Sequence, residues 1–466
     1  MIKINKNLIY YLVILTFSLF LFSRNNVIPL RPVYVRASNL EIFSVEFWTL
    51  LVFLIFIAST FIKNKCYLFE KFILCFFASL ILTDNVYKFF SVQISDVFGL
   101  LAVISYYLRS ILVNNCLKLN INFFKKPPGL LMLVTAFACF ISLVLPGCFY
   151  FHNKIYNGIN LSALLTSWLY LARIIILFLF CNILYQASLS NKNLVEKCIK
   201  TLLYSGMLGC IVYWVQIGLF TFNLSDVNGI FNDFNFPRAK GVAHEPATFA
   251  HSLFFIIILS SVYFKKMNLK ILILILTVIA TFSLGVYATF VVFLLICFLN
   301  MFLKKSRKIA GIAVFLLFLG VFAVLLYHLT GDIFFKMGDK LIYHIQNKIF
   351  EQNPVIDSLI RQYPSVKFFG VGLYNSVQPF TDLFEVRNSY SLIYEDTGLF
   401  GFVFFMIFLI YNLIICLKKN SNSRKIILFS YIFSFCLITL NVIRMAFFPY
   451  LWLSLTLFYD KTLFGE

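Results

Sequence analysis

The sequence predicts an all-α polytopic membrane protein with about 12–14 transmembrane helices, forming one integral domain over residues 1–466 with one large outer loop. Three observations predict it. Apolar residues make up 61% of the 466 and charged residues only 12%, with a mean hydropathy of +0.91. Soluble domains are ~45–50% apolar and ~25% charged, so a soluble enzyme and a disordered chain are excluded. The apolar residues also fall into runs close to the ~20 residues that a spanning helix needs. Finally, the basic residues between runs are dense and sparse in alternation, as the positive-inside rule requires.

In chain order the runs are 8–23, 47–62, 68–83, 97–113, 129–145, 163–183, 199–220, 247–263, 271–283, 286–302, 309–328, 392–416, 426–441 and 445–459. The ninth and tenth read either as two spans or as one segment broken near Ser283–Gly285. The first has the Lys-flanked start of a signal peptide. No small-x-small cleavage pattern follows Phe22-Ser23-Arg24-Asn25, so an uncleaved span is expected. The 59 phenylalanines are cheap in hydrocarbon and read as membrane composition.

The formal net charge is +20, from 39 Lys and Arg against 19 acids. With the N-terminus inside, 24 bases fall on the inner side and 14 on the outer, six of those in one long loop. Arg173 alone falls within a span. Both termini are therefore expected inside. The charge is topological and no nucleic-acid partner is indicated. Eleven cysteines show no CxxC or Cys/His spacing, so neither a metal nor another cofactor is expected. They read as small apolar residues in helices. Arg173 is costly in hydrocarbon. It is either a contact near a lipid anion or an arginine that snorkels or pairs with backbone carbonyls.

Chemistry is expected in two outer segments, residues 221–246 and 329–391. The second is long for a connection and reads as functional. Within it, residues 332–351 carry apolar side chains at near-helical spacing. This fits an amphipathic helix, either at the outer interface or packed on the spans. The first segment ends in Arg238, Lys240, Gly241, His244, Glu245 and Pro246. Pro246 suits the first turn of the next span. Arg238 and Lys240 are then either loop charges, with Glu245 offsetting the helix dipole, or part of a cluster at free helix N–H groups that attract phosphate. In the second segment, Arg361 and Arg387 are each followed by ten residues and a glycine, Gly372 and Gly398. Arg387 and Asn388 stand at the mouth of the next span.

Four segments, taken in order, resemble the O-antigen ligase/polymerase family of bacterial glycosyltransferases. They are Arg238-x-x-Gly241-x-x-x-Glu245-Pro246, Thr281-Phe282-Ser283-Leu284-Gly285, Gly370-Val371-Gly372, and Arg387-Asn388-Ser389 through Gly398-Leu399-Phe400-Gly401. The resemblance covers roughly residues 90–460. It implies a C-type glycosyltransferase-like fold in the bacterial cytoplasmic (inner) membrane, with the active site facing the periplasm or exterior. It implies polyprenyl-pyrophosphate-linked glycans as donor and acceptor, in contact with membrane lipid, and a flippase and chain-length regulator as protein partners. Ligases of the family carry a His where Arg387 stands, so the resemblance favours a polymerase of O-antigen, capsule or exopolysaccharide. The alternatives are a ligase or a polysaccharide flippase.

The resemblance assigns the motif arginines to Arg238, Arg361 and Arg387, and two acids to Glu245 and Asp396. On chemical grounds Arg238 and Arg387 are expected to clamp pyrophosphate, because guanidinium matches phosphate oxygens in bidentate geometry. Lys240, Arg361, Asn388, Asp396 and Arg173 are expected as further substrate contacts. Glu245 is the expected general base and His244 the next candidate. There is no Asp-x-Asp, and metal-independent transfer is expected.

Overall fold

A computed structural model describes residues 45–82, 88–89, 92–114, 161–222, 230–231, 237–243, 245–264, 268–303, 364–370, 389–417 and 423–438, plus isolated positions between 130 and 141 and at 453. The protein is mostly helical. The described helices are α1 (Val45–Lys63), α2 (Leu68–Ser79), α3 (Ile94–Asn114), α4 (Leu161–Ser190), α5 (Lys192–Thr221), α6 (Pro246–Phe264), α7 (Leu269–Ala280), α8 (Leu284–Leu303), α9 (Pro364–Phe369), α10 (Ser389–Leu417) and α11 (Ser423–Ile438). Two antiparallel ribbons accompany them: β1 (Lys88–Phe89) with β2 (Val92–Gln93), and β3 (Ile230–Phe231) with β4 (Arg238–Ala239).

Among the described residues, five helical stretches are long and apolar enough to cross a membrane: Ile94–Val113, Ala172–Ser190, Asn193–Thr221, Pro246–Phe264 and Thr397–Ile414. The chain is therefore a multi-pass membrane protein. Phe47–Lys63, Leu269–Ala280, Gly285–Cys297 and Ile426–Phe435 are shorter apolar helices. The expected spans 8–23 and 309–328, and the amphipathic segment 332–351, lie outside the described residues. So does 445–459 apart from Leu453.

Capping residues set the boundaries that hydropathy alone misses. α5 starts seven residues before the expected 199, because Asn191 Oδ1 accepts the Asn193 N–H at 3.2 Å. Asn268 Oδ1 does the same for the Ile271 N–H at 3.0 Å and opens α7. α6 begins at Pro246, as expected. The ninth and tenth runs are two helices: α7 ends at Ala280, a turn holds Thr281–Ser283, and Phe282 takes a left-handed φ of +47°.

α2 lies at the centre, between α1, α3 and α5, and Phe76 and Phe77 are fully buried. Phe76 meets Phe180 of α4 with ring centroids 4.2 Å apart. A second group packs α6 against α5, α7, α8 and α11. There Tyr213 stacks on Phe249, and Phe254 meets Tyr431 edge-on. Outward-facing residues such as Ile55, Leu112, Ile211, Ile407 and Ile414 are exposed, as a lipid-facing surface requires.

The bundle has two chemically different ends. At one, Asn191 Nδ2 donates to Glu70 Oε1 at 3.0 Å, which joins the α1–α2 and α4–α5 turns. Tyr263 at the foot of α6 donates to Glu196, and Lys270 sits over the Tyr204 ring. Arg109 lies over Tyr67 at the same end. Lys63, Lys65, Lys71, Lys197, Lys200 and Lys270 gather there. These are bases that the charge count places together. The first turns of α3 and α6 and the last turns of α5 and α7 form the opposite end.

Candidate functional site

The site forms at that opposite end, where the 237–245 segment folds back against α5. Gly241 makes the turn with φ +62°, a conformation that side chains disfavour. A Cβ there would stand 2.9 Å from the Phe249 ring. Gln216 holds the turn from α5. Its Nε2 donates to the Gly241 carbonyl at 3.0 Å, and its Oε1 accepts the Gly241 N–H at 2.9 Å. β4 pairs with β3 through Phe231↔Arg238 and presents Arg238 to the α7–α8 turn. Arg238 Nη1 donates to the Phe282 carbonyl at 3.3 Å. A cation there complements the C-terminal carbonyls of α7.

Glu245 stands immediately before α6, and its carbonyl accepts the Phe249 N–H at 3.1 Å. Burial pushes its carboxyl above the usual carboxylate range, and the nearby Arg238 charge pulls it partly back. A carboxyl raised in this way is a stronger base than an exposed one. Two tyrosines complete the surroundings. The Tyr213 hydroxyl donates to the Ala280 carbonyl at 2.7 Å and that of Tyr287 to Ile279. Both phenols lie within electrostatic reach of Arg238. Lys240 sits on the same turn, where its carbonyl accepts the Ala243 N–H.

An apolar groove runs along the lipid-facing flank of α5. It measures about 390 Å3 and is lined by Met207, Cys210, Ile211, Trp214, Val215 and Ile273. Trp214 is pinned by its indole N–H, which donates to Thr277 Oγ1 at 3.1 Å.

Arg173 belongs to a different cluster. Its Nε lies 2.7 Å from Asp96 Oδ2, and its Nη2 donates to Gln93 Oε1 at 3.1 Å. Asp96 Oδ2 also accepts the Gln93 N–H at 3.1 Å, at the first turn of α3. The arginine is thus matched by a buried carboxylate and an amide, a pairing distinct from both readings the sequence left open, a contact near a lipid anion and an arginine that snorkels or pairs with backbone carbonyls.

The structure brings two of the four motif segments together, Arg238–Pro246 and Thr281–Gly285. It also brings together parts of the other two. Gly398 kinks α10 with φ +67°, and a Cβ there would stand 2.3 Å from the Phe368 carbonyl carbon and oxygen. α9 ends on Gly370, whose N–H bonds the Val366 carbonyl at 2.8 Å. The α9 terminus can therefore cross α10 in backbone contact. His244, Arg361, Arg387 and Asn388 lie outside the described residues. Asp396 lies within α10, and its side chain is not described. No group of His, Cys, Asp and Glu able to hold a metal occurs among the described residues.

Gln216, Tyr213, Tyr287 and His251 were not singled out from the sequence, and Ser283 only as part of a motif segment and a helix break. Gln216 and His251 did leave a signal, as polar side chains inside otherwise apolar runs. No protein-family model, no curated protein and no solved structure matches this chain.

Proposed function

We propose that the chain is a membrane glycosyltransferase that polymerises polyprenyl-pyrophosphate-linked oligosaccharide units into a surface polysaccharide. It does so without a metal, at the outer face of the bacterial cytoplasmic membrane. One observation carries the reading. On the end opposite the lysine-rich turns, the Arg238 guanidinium is bonded to a helix break and lies within electrostatic reach of Glu245, whose carboxyl is raised by burial. An apolar groove runs along α5, the helix on which the 237–245 segment folds back. A cation together with an apolar groove suits an anionic headgroup on a long apolar chain. The resemblance to the O-antigen ligase/polymerase family, with its C-type fold and outer loop 329–391, supports the same reading, with Arg361, Arg387 and Asn388 contributed from that loop.

In the reaction, an acceptor hydroxyl attacks the anomeric carbon of the donor glycan. The bond to the pyrophosphate oxygen breaks, and its electron pair leaves with polyprenyl pyrophosphate. Arg238 balances the charge that develops there, in a site where water is partly excluded. Glu245 takes the hydroxyl proton. Lys240 adds positive charge on the same turn.

A lipid-glycan transporter is the second reading. The buried Arg173–Asp96 pair favours it, since carriers place carboxylates within their spans. Deleting the gene and sizing the surface glycan separates the readings. Loss of the polymerase leaves single repeat units on the surface. Loss of a transporter abolishes glycan export, and loss of a ligase accumulates long lipid-linked polymer. Full activity of Arg238→Ala on complementation, or labelling of a cysteine at position 240 from the cytosolic side, would overturn the proposal.

A further inference from the structure

Ser283 opens α8, and its carbonyl accepts the Tyr287 N–H at 3.1 Å. A serine there ordinarily turns its hydroxyl onto a free amide of the first turn. This hydroxyl is buried, with Ser283 2% exposed, and has no hydrogen-bond partner among the described residues. His251 of α6 is 3% exposed, and its Nδ1 likewise has no partner there. Its Nε2 lies 3.3 Å from where a Cβ on Gly285 would stand, so the imidazole fronts the first turn of α8. Thr248 is three residues earlier on the same face of α6, and its buried hydroxyl is also without a partner.

Unpaired buried donors are costly, and they persist where a ligand completes them. Of these, Ser283 stands at a helix N-terminus, whose free amides and positive dipole end attract anions, and the His251 ring fronts the same turn through Nε2. Arg238 is bonded to the Phe282 carbonyl at the same turn. Phe282 and Gly285 remain half-buried, so the turn is reachable. Amides, two hydroxyls, an imidazole and a guanidinium offer donors to many oxygens at once, which suits a diphosphate better than a carboxylate.

We infer that the first turn of α8, with Ser283, His251 and Thr248, seats the diphosphate of the lipid donor while Arg238 closes it from the loop side. The inference rests on the glycosyltransferase reading above and names where its leaving group sits. It assigns Ser283 and His251 as binding residues beyond the arginines.

The test is equilibrium binding of radiolabelled farnesyl diphosphate to the full chain in lipid nanodiscs, with inorganic pyrophosphate as competitor. Ser283→Ala and His251→Leu are each expected to weaken binding by about tenfold, and Ser283→Thr is expected to restore it. Gly285→Ala keeps every polar group and sets a methyl against His251 Nε2. It is expected to weaken binding similarly, and it tests the seat even where a polar variant fails to fold. Pyrophosphate that competes as well as the farnesyl compound keeps the seat and assigns it to the free anion. Wild-type affinity in Ser283→Ala, His251→Leu and Gly285→Ala, with loss only in Arg238→Ala, overturns the seat and leaves the proposed function standing. No binding of farnesyl diphosphate by the wild type overturns both.

Discussion

Gln216 and Gly241 exchange two hydrogen bonds, side-chain amide to backbone peptide, across 25 residues of sequence. This exchange fixes the turn that carries Arg238 and Lys240 against α5. Leucine at position 216 would leave both peptide groups of Gly241 buried without partners, at a cost of ~1–3 kcal/mol each. Gln216→Leu is expected to lower the thermal unfolding temperature in detergent and to shorten the surface polymer. Gly241→Ala is expected to do the same, because the added methyl meets Phe249 at a positive φ.

Glu245 governs the expected pH dependence. As a base it must lose its proton, so activity should rise with pH through an apparent pKa above the usual carboxylate range. Arg238→Gln removes the charge that holds this value down and should move the acid limb further up, and Glu245→Gln should abolish it. Stability has the opposite sign. The folded state holds this proton more tightly than the unfolded chain. Stability should therefore fall as pH climbs from the ordinary carboxylate value through the raised one, and then level off. Unfolding of the wild type and Glu245→Gln across that window reads the difference.

The Arg173–Asp96 pair should behave as a buried ion pair. Removing one partner leaves a charge without compensation, at ~3–5 kcal/mol. Asp96→Asn and Arg173→Met are each expected to reduce the yield of monodisperse protein. The combination Arg173→Met with Asp96→Leu should recover much of it. Equal loss in single and double variants would assign the two residues a role beyond pairing with each other.

Gly398 has both a positive φ and backbone against its α-carbon. Gly398→Ala should cost on the order of 3 kcal/mol or more, by driving α9 off α10. Gel-filtration profiles of the tagged protein measure folding, and glycan length reports on function.

Several features were legible in the sequence because their causes are local. Apolar runs of spanning length marked α3, α4, α5, α6 and α10, a shorter one marked α1, and Pro246 marked where α6 begins. The bases sorted into two groups by loop, and the lysine-rich turns do meet at one end of the bundle. Boundaries moved where a capping side chain outweighed hydropathy, as Asn191 does for α5. The Thr281–Ser283 break was visible only as an ambiguity between one span and two.

Hydropathy, charge and turn residues are properties of short windows, so the sequence by itself determined a helical membrane chain and the grouping of its bases by loop. Which of those bases share a site was decided by tertiary packing. Arg238 reaches a carbonyl 44 residues away, and Arg173 reaches an amide 80 residues away. The two arginines differ in their neighbours. One faces a helix break beside an acid of raised pKa, and the other is matched by a buried aspartate. Burial and pairing of polar groups depend on which helices touch, and no spacing along the chain encodes that.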